Sequence, residues 1–142
     1  MLIKAQDSAL VVIDMQNRLV SAMVAPDHTI TNTRLLLDVA GKIMVPSILT
    51  KHHPEGLGAT IPTIKNAAGQ SLVLSKLCFS CLQGSSFAAG FTSLNRQQVI
   101  LTGIKAHICV GQTAASLLDD GYEVILVSDA IASRTLENKK LV

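Results

Sequence analysis

The segment QVILTGIKAHICVGQTAASLLDDGYEVILV, residues 98–127, decides the fold. Its pattern predicts an apolar strand over 98–102, a turn leading to Cys109, a helix that ends before Gly121, and a second apolar strand over 123–127. A helix between two short apolar strands is the βαβ unit of a parallel sheet. Cys109 therefore lies where a strand gives way to a helix, at the carboxyl end of the strand.

The same alternation continues toward the N-terminus, with Pro46 and Gly69 ending two of the helices. It predicts an α/β fold, in which a mostly parallel, doubly wound, Rossmann-like sheet lies between helices in a three-layer α/β/α arrangement. Ligands of such sheets bind beyond the carboxyl ends of the strands. The further strands are predicted over 9–13, 47–50 and 71–75, and the further helices over 29–44, over 60–68 and in a segment ending at 94.

Composition narrows the class of protein. The chain has 142 residues, enough for one domain, and its 49% hydrophobic and 15% charged residues exclude a disordered tail. A net charge of +2 is too small to indicate a nucleic-acid partner, and three Phe with one Tyr are too few for base stacking. We expect a small-molecule substrate and no nucleic-acid partner.

The sequence also predicts a cytoplasmic protein with no membrane partner. No apolar run approaches the roughly 20 residues that a spanning helix needs, and the N-terminus lacks the apolar core of a signal peptide. Three cysteines cannot complete a set of disulfides, which suits a reducing compartment.

Three chemically capable side chains follow three different predicted strands, namely Asp14, Lys76 and Cys109. A thiol at a helix N-terminus is expected to have a lowered pKa, because the helix dipole favours the thiolate. A nucleophilic cysteine also needs a base and a nearby cation, which Asp14 and Lys76 can supply. Taken singly, each has a simpler explanation, as a turn former, a solvated lysine or a buried thiol.

Three blocks of sequence together resemble the isochorismatase-like cysteine hydrolases, a family that includes nicotinamidases and N-carbamoylsarcosine amidase. The blocks cover nearly the whole chain in the family's order. They are VVIDMQN at 11–17, SKLCFSCL at 75–82, and LTGIKAHICVGQTA followed by GYEVILVSDAIASR between 101 and 134.

The resemblance implies a function and a set of roles. Asp14 is the expected general base, Lys76 its cationic partner, and Cys109 the nucleophile that forms a covalent acyl-enzyme while a C–N, amide-like bond is cleaved. The resemblance also implies a cis peptide bond at Ile104–Lys105 and an oxyanion hole made by the N–H groups of Lys105 and Cys109. True isochorismatases lack the cysteine, so an amide-type substrate is favoured.

No metal and no cofactor are predicted. Nicotinamidases hold a divalent ion through an Asp-x-His motif, whereas the matching segment here, residues 50–54, carries His52 and His53 without the aspartate. Adjacent histidines point in different directions, so a complete metal site is not expected.

Two other functions remain open from the sequence. Cys78 and Cys81 form a C-x-x-C pair, which is typical of thiol redox proteins as well as of half a zinc site. The alternative is a catalytically silent family member that acts through its oligomeric surface.

Family chains normally continue after the Ser133-Arg134 motif through another helix and a last strand. We therefore expect residues 1–142 to form a single domain that lacks those elements. The strand over 123–127 would then lie at an uncovered sheet edge, which invites pairing with another chain. A homo-oligomer, usual in the family, would cover it.

Overall fold

The computed structural model describes residues 1–142 apart from the side chain of Ser85, and its centre is a five-stranded sheet. All neighbouring strands are parallel, in the order β3-β2-β1-β4-β5. The predicted α/β doubly wound architecture is confirmed, with β1 in the middle. The strands are β1 Ser8–Ile13, β2 Ser47–His52, β3 Leu72–Lys76, β4 Gln98–Ile104 and β5 Glu123–Ala132.

Helices cover both faces of this sheet. Ala9, Val11 and Ile13 of β1 face one apolar cluster, whereas Leu10 and Val12 face the other. The first cluster also contains residues of α5 and α6, and the second contains residues of α2 and α4, so the molecule has three layers. The helices are α1 Asn17–Val20, α2 Pro26–Lys42, α3 Pro54–Leu57, α4 Pro62–Ala68, α5 Ser85–Ser93, α6 Gly111–Asp119 and α7 Leu136–Lys139, with 3-10 turns at Ala5–Asp7 and Cys81–Gln83 and a π-helical turn at Ala106–Val110.

The longest helix, α2, begins three residues earlier than predicted. Pro26 occupies its first turn, where a fixed φ near −65° suits the helix and the missing N–H is not needed. Thr29, where the sequence pattern places the start, is buried inside the helix instead. No helix among the described residues is both long and apolar enough to cross a lipid bilayer.

The carboxyl ends of β4 and β5 extend beyond their predicted ends. A register shift lies between Leu101 and Gly103, after which Gly103 pairs with Ile131 and Ile104 with Ala132. Gly103 has a φ of +115°, and a Cβ there would lie 2.1 Å from the carbonyl oxygen of Ile13. Only glycine allows β4 to pass this close to the end of β1.

The order of the strands also locates the ligand-binding edge. From β1 the chain moves outward through β2 to β3, and it then crosses back to place β4 on the other side of β1. The carboxyl ends of β1 and β4 therefore form the switch point at which doubly wound sheets bind their ligands. Asp14 follows β1 directly, and the turn containing Cys109 follows β4.

Candidate active site

Asp14 and Lys76 form a buried ion pair at the carboxyl edge of the sheet. Lys76 is the last residue of β3, Asp14 is the first after β1, and Lys76 Nζ lies 2.8 Å from Asp14 Oδ2. Their side chains are 2% and 0% exposed. Each charge is withdrawn from water, so each depends on the other for compensation.

The two oxygens of the Asp14 carboxylate have different partners. Thr50 donates its hydroxyl to Oδ1 at 2.8 Å, and the Asp14 N–H donates to the carbonyl oxygen of Thr50 at 3.2 Å. Oδ2 lies 2.8 Å from the ammonium of Lys76, which is a charge-assisted contact. A carboxylate oxygen has two lone pairs, so Oδ2 can still accept a proton.

Lys76 is held charged in this position. Burial disfavours its ammonium form, but the Asp14 carboxylate outweighs burial and raises the pKa of Lys76 above its usual value. The ammonium also donates to the carbonyl oxygen of Cys78 at 3.1 Å and lies 3.4 Å from Nδ1 of His52. These contacts fix Nζ between the loop after β3 and the end of β2.

Cys109 lies in the π-helical turn between β4 and α6, with only 7% of its surface exposed. Burial, and then the charge of Asp14, raise the pKa of Cys109 to about 12, against a smaller lowering by Lys76. The expectation of a lowered thiol pKa is therefore wrong, because burial and the carboxylate outweigh the helix terminus and the lysine. The sulfur is a neutral thiol beside the Asp14 carboxylate.

The turn before Cys109 contains the cis peptide bond predicted at Ile104–Lys105. The Lys105 carbonyl oxygen accepts hydrogen bonds from the N–H groups of Ile108 at 3.1 Å and Val110 at 3.2 Å. These two bonds fix the backbone on either side of Cys109.

Asp14 and Cys109 open into one cavity of about 260 Å³. Three cavities elsewhere are larger, at about 290, 370 and 370 Å³, but this is the one that the carboxylate and the thiol share. Its wall is mostly apolar, and the cationic residues Lys105 and Arg134 also line it. The lining residues are Asp14, Leu19, His52, Leu57, Phe79, Ile104, Lys105, Ile108, Cys109 and Arg134.

Residues 8–142 match the model of the isochorismatase domain. The chain belongs to the isochorismatase family. It is 34% identical over 133 residues to isochorismatase domain-containing protein 2 of Danio rerio, a match that covers 94% of this chain and 66% of that relative. The chain thus spans slightly less than two thirds of the length of this curated relative.

Solved structures share the fold of this isochorismatase-family chain. A Caenorhabditis elegans protein described as the MAR1 ribonuclease superposes with a TM-score of 0.90 at 36% identity, over 97% of this chain and 71% of that one. The YcaC gene product of Escherichia coli, described as an octameric hydrolase of unknown specificity, superposes with a TM-score of 0.91 at 23% identity, over 97% and 70%. The hydrolase fold of the family is thus present here.

Gln16 is a further buried residue at the carboxyl edge of the sheet, and its role was not predicted from the sequence. Its Nε2 donates to the carbonyl oxygens of His52 at 3.0 Å and Gly58 at 2.8 Å, and its Oε1 accepts from the His52 N–H at 2.7 Å. One amide therefore binds the loop after β2 to the end of β1. Gln16 lies three residues beyond β1 and Thr50 lies inside β2, so the pattern of apolar strands gave no signal for either residue.

Of the two adjacent histidines, only His52 lines the cavity of this isochorismatase-family chain. Its ring stacks on Phe79 with centroids 5.7 Å apart, and burial, followed by the charge of Lys76, lowers its pKa. His53 precedes α3 in a left-handed conformation with φ of +39°. Within the described part of the chain, no three His, Cys, Asp or Glu side chains cluster closely enough to hold one metal ion.

The two C-x-x-C thiols lie in different surroundings. Cys78 is half-buried in the loop after β3, whereas Cys81 is fully buried in the apolar cluster beneath α5 and α6. Burial raises the pKa of Cys81 to about 11 despite an opposing hydrogen bond with Thr113. A thiol with no exposed surface is poorly accessible for disulfide exchange.

Proposed function

We propose that this isochorismatase-family protein is a cysteine-dependent hydrolase that cleaves the C–N bond of a small amide through a covalent acyl-enzyme. The observation that supports this most directly is the shared cavity, in which the Asp14 carboxylate, paired with Lys76, and the Cys109 thiol face the same space. A neutral thiol beside a charged carboxylate is the arrangement required for a base-assisted attack.

In the proposed acylation step, Cys109 Sγ attacks the amide carbon while its proton passes to Asp14 Oδ2. The N–H groups of Lys105 and Cys109 would bind the oxyanion of the tetrahedral intermediate. As the intermediate collapses, the C–N electron pair goes to nitrogen, which takes the proton from Asp14 and leaves as an amine or ammonia. A thioester to Cys109 remains.

Deacylation uses the same groups in reverse roles. Asp14 accepts a proton from water as the water oxygen attacks the thioester carbon, and the C–S bond then breaks. The Cys109 sulfur recovers the proton from Asp14, and the product leaves as a carboxylic acid. Lys76 stays charged throughout and keeps the carboxylate ionised between proton transfers, which is the role its raised pKa supports.

Substitution of the nucleophile tests this proposal. We expect Cys109→Ala to lower turnover of a panel of small primary amides by at least about a thousand-fold without changing the circular dichroism spectrum. Cys78→Ala is the matched control, because that thiol lies outside the residues lining the cavity. An active Cys109→Ala enzyme would overturn the proposal.

The same variants separate the two alternative functions. A redox protein would form a reversible Cys78–Cys81 disulfide and lose its activity in Cys78→Ala. A silent family member would hydrolyse none of the amides, and Cys109 would react with iodoacetamide no faster than Cys78.

The three free thiols support a proposed location in a reducing compartment, the cytoplasm.

We also propose that the protein forms a homo-oligomer. Leu35, Val39 and Ile43 follow one another at four-residue spacing along α2 and its C-terminal end, and each is more than 40% exposed. Such an apolar stripe suits contact with a second copy, and the E. coli YcaC protein of the same fold is described as octameric. Light scattering should give a mass above that of one chain, and Val39→Lys should lower it; a monomeric wild type would contradict this.

A further inference from the structure

We propose that His52 is a substrate-binding residue, which donates a hydrogen bond from its Nε2–H to an oxygen carried by the leaving nitrogen of the substrate. This inference rests on the proposed function and adds the class of substrate, a short hydroxamate, in which that nitrogen bears a hydroxyl group. It starts from the geometry of the His52 ring, which lines the cavity beside the ion pair of Asp14 and Lys76.

The His52 ring is held in one orientation by three neighbours. The side chain of Gln16 accepts from the His52 N–H at 2.7 Å and donates to the His52 carbonyl oxygen at 3.0 Å, which fixes the backbone. Phe79 stacks on the ring, with centroids 5.7 Å apart and planes inclined by 28°. Lys76 Nζ lies 3.4 Å from Nδ1. A ring fixed in this way loses little further freedom when a ligand binds, which favours binding.

The contact with Lys76 determines which nitrogen of the ring carries the proton. An ammonium group can only donate, so Nδ1 accepts, and the proton of the neutral imidazole lies on Nε2. Burial, followed by the charge of Lys76, lowers the pKa of His52 below its usual 6.5, so the ring is neutral at pH 7. The same ammonium donates to the nearby carbonyl oxygen of Cys78 at 3.1 Å. Lys76 is the directed hydrogen-bond partner found for the ring among the described residues, which leaves the Nε2–H for a ligand.

The order of the strands determines which part of a substrate meets this donor. His52 ends β2, Asp14 follows β1, and the turn containing Cys109 follows β4; β1 lies between the other two strands. A substrate with its acyl carbon at the Cys109 sulfur and its leaving nitrogen at Asp14 therefore directs the nitrogen substituent toward His52. An oxygen at that position accepts from the Nε2–H, whereas a methyl group leaves this donor without a partner, which costs free energy.

The reaction is the proposed hydrolysis, with hydroxylamine as the leaving group. The C–N bond breaks, its electron pair goes to nitrogen with the proton from Asp14, and the acyl group stays on the Cys109 sulfur until water releases it as a carboxylic acid. Leu19, Leu57 and Ile108 line the cavity and suit a short alkyl chain. At roughly 30 Å³ for each water-sized group, about 260 Å³ holds about nine such groups. Butyrohydroxamate and N-methylbutyramide fit this space and differ only in whether the nitrogen bears a hydroxyl or a methyl group.

The first test compares kcat/KM for these two compounds. His52→Phe keeps an aromatic ring beside Phe79 but removes the donor, and it should lower the ratio of butyrohydroxamate to N-methylbutyramide by about five- to ten-fold. His52→Gln places an amide N–H near the position of Nε2 and should keep the ratio within about two-fold of the wild type. His28→Phe, at an exposed position of α2, is the control and should leave the ratio unchanged. An unchanged ratio in His52→Phe, or an equal loss in His52→Gln, would overturn the inference.

A second test needs no turnover and so separates this inference from the proposed function. In Cys109→Ala, nitrogen-15 NMR at pH 7.5 should show the proton of the His52 ring on Nε2, with the signals identified by their loss in His52→Gln. Butyrohydroxamate should shift the Nε2–H resonance, and N-methylbutyramide should leave it in place. A proton on Nδ1, or equal or absent shifts with both compounds, would overturn the inference. A shift with butyrohydroxamate alone, when the wild type hydrolyses neither compound, would support the contact and contradict the hydrolase.

Discussion

Lys76 Nζ lies 2.8 Å from Asp14 Oδ2, and the sheet and its loops shield both atoms from solvent. The two residues are 62 positions apart in sequence, and β2 separates their strands. Their contact therefore exists only when all three strands are paired. It links the stability of the fold to the chemistry proposed for the cavity.

Replacing Lys76 should strongly destabilise the protein. Lys76→Met leaves the Asp14 carboxylate buried without its counter-charge, and breaking such a pair costs about 3–5 kcal/mol. Urea unfolding should show this loss, and the double variant Asp14→Asn with Lys76→Met should recover most of it. Lys65→Met, an exposed lysine of α4, is the control. If Lys76→Met were as stable as the wild type, the Asp14 carboxylate would not depend on Lys76 for charge compensation.

Asp14→Asn should separate thiol reactivity from turnover. Hydrolysis should fall by roughly a hundred- to ten-thousand-fold, because no group is left to move the proton. Alkylation of Cys109 by iodoacetamide at pH 8 should become faster, because the Asp14 charge raises the pKa of that thiol. Cys78 in the same sample reports any general change in reagent reactivity. Slower alkylation of Cys109 in this variant would show that the carboxylate does not suppress the thiolate.

Alkaline pH should destabilise the fold through its buried thiols. The pKa of Cys109 rises from 9.0 to about 12 on folding and that of Cys81 from 9.0 to about 11, so the unfolded chain loses these protons first. Stability is therefore fully present below pH 9 and falls as the pH rises toward 11, by about 1.4 kcal/mol per pH unit for each thiol. Chemical unfolding between pH 8 and 10.5 measures the slope, and Cys109→Ser should reduce it by about one proton. If stability fell with pH as steeply in Cys109→Ser as in the wild type, the pKa of Cys109 would not rise on folding.

Three glycines should respond differently to alanine. Gly103→Ala places a Cβ against the Ile13 carbonyl at φ of +115° and should cost more than about 2 kcal/mol. Gly121→Ala meets no atom within 4 Å but has φ of +86°, so about 1 kcal/mol is expected. Gly41→Ala, within α2 and with open space around it, should stabilise by about 0.5–1 kcal/mol. Any other order of melting temperatures would show that Gly103 of β4 does not pass as close to Ile13 of β1 as described above.

Thr50→Val should impair turnover more than stability would explain. It removes the hydroxyl that donates to Asp14 Oδ1 while keeping the shape of the side chain. We expect kcat to fall about ten-fold and stability to fall by about 1–3 kcal/mol. Thr33→Val is the control, because that buried hydroxyl has no partner among the described residues and its loss should be neutral or stabilising. If Thr50→Val and Thr33→Val changed kcat and stability equally, Thr50 would not position the Asp14 carboxylate.

The strands of this protein were predictable because each is a short apolar run that ends in a polar residue. The convergence of Asp14, Lys76 and Cys109 followed from parallel strands sharing one carboxyl edge. Helix ends were less predictable, and α2 begins at Pro26 because the preference of proline for the first turn outweighs the capping ability of Thr29.

The properties of the site that depend on burial could not be predicted from residue spacing. The pKa of Cys109 rises because of the apolar surroundings and the distance to a carboxylate, neither of which can be obtained from the sequence. Thr50 was missed as a partner of the site for a similar reason. Its importance comes from a hydrogen bond to Asp14, which lies 36 positions away in the chain.

The side-chain amide of Gln16 forms hydrogen bonds with main-chain atoms of the loop that it holds. A loop fixed through its backbone can change its own side chains without changing its position. The side chain of Leu57, which lines the cavity from this loop, can thus change while the Asp14 carboxylate stays in place. In the proposed hydrolase, the choice of substrate and the proton transfers would be tasks of separate residues, so one could be altered by mutation without loss of the other.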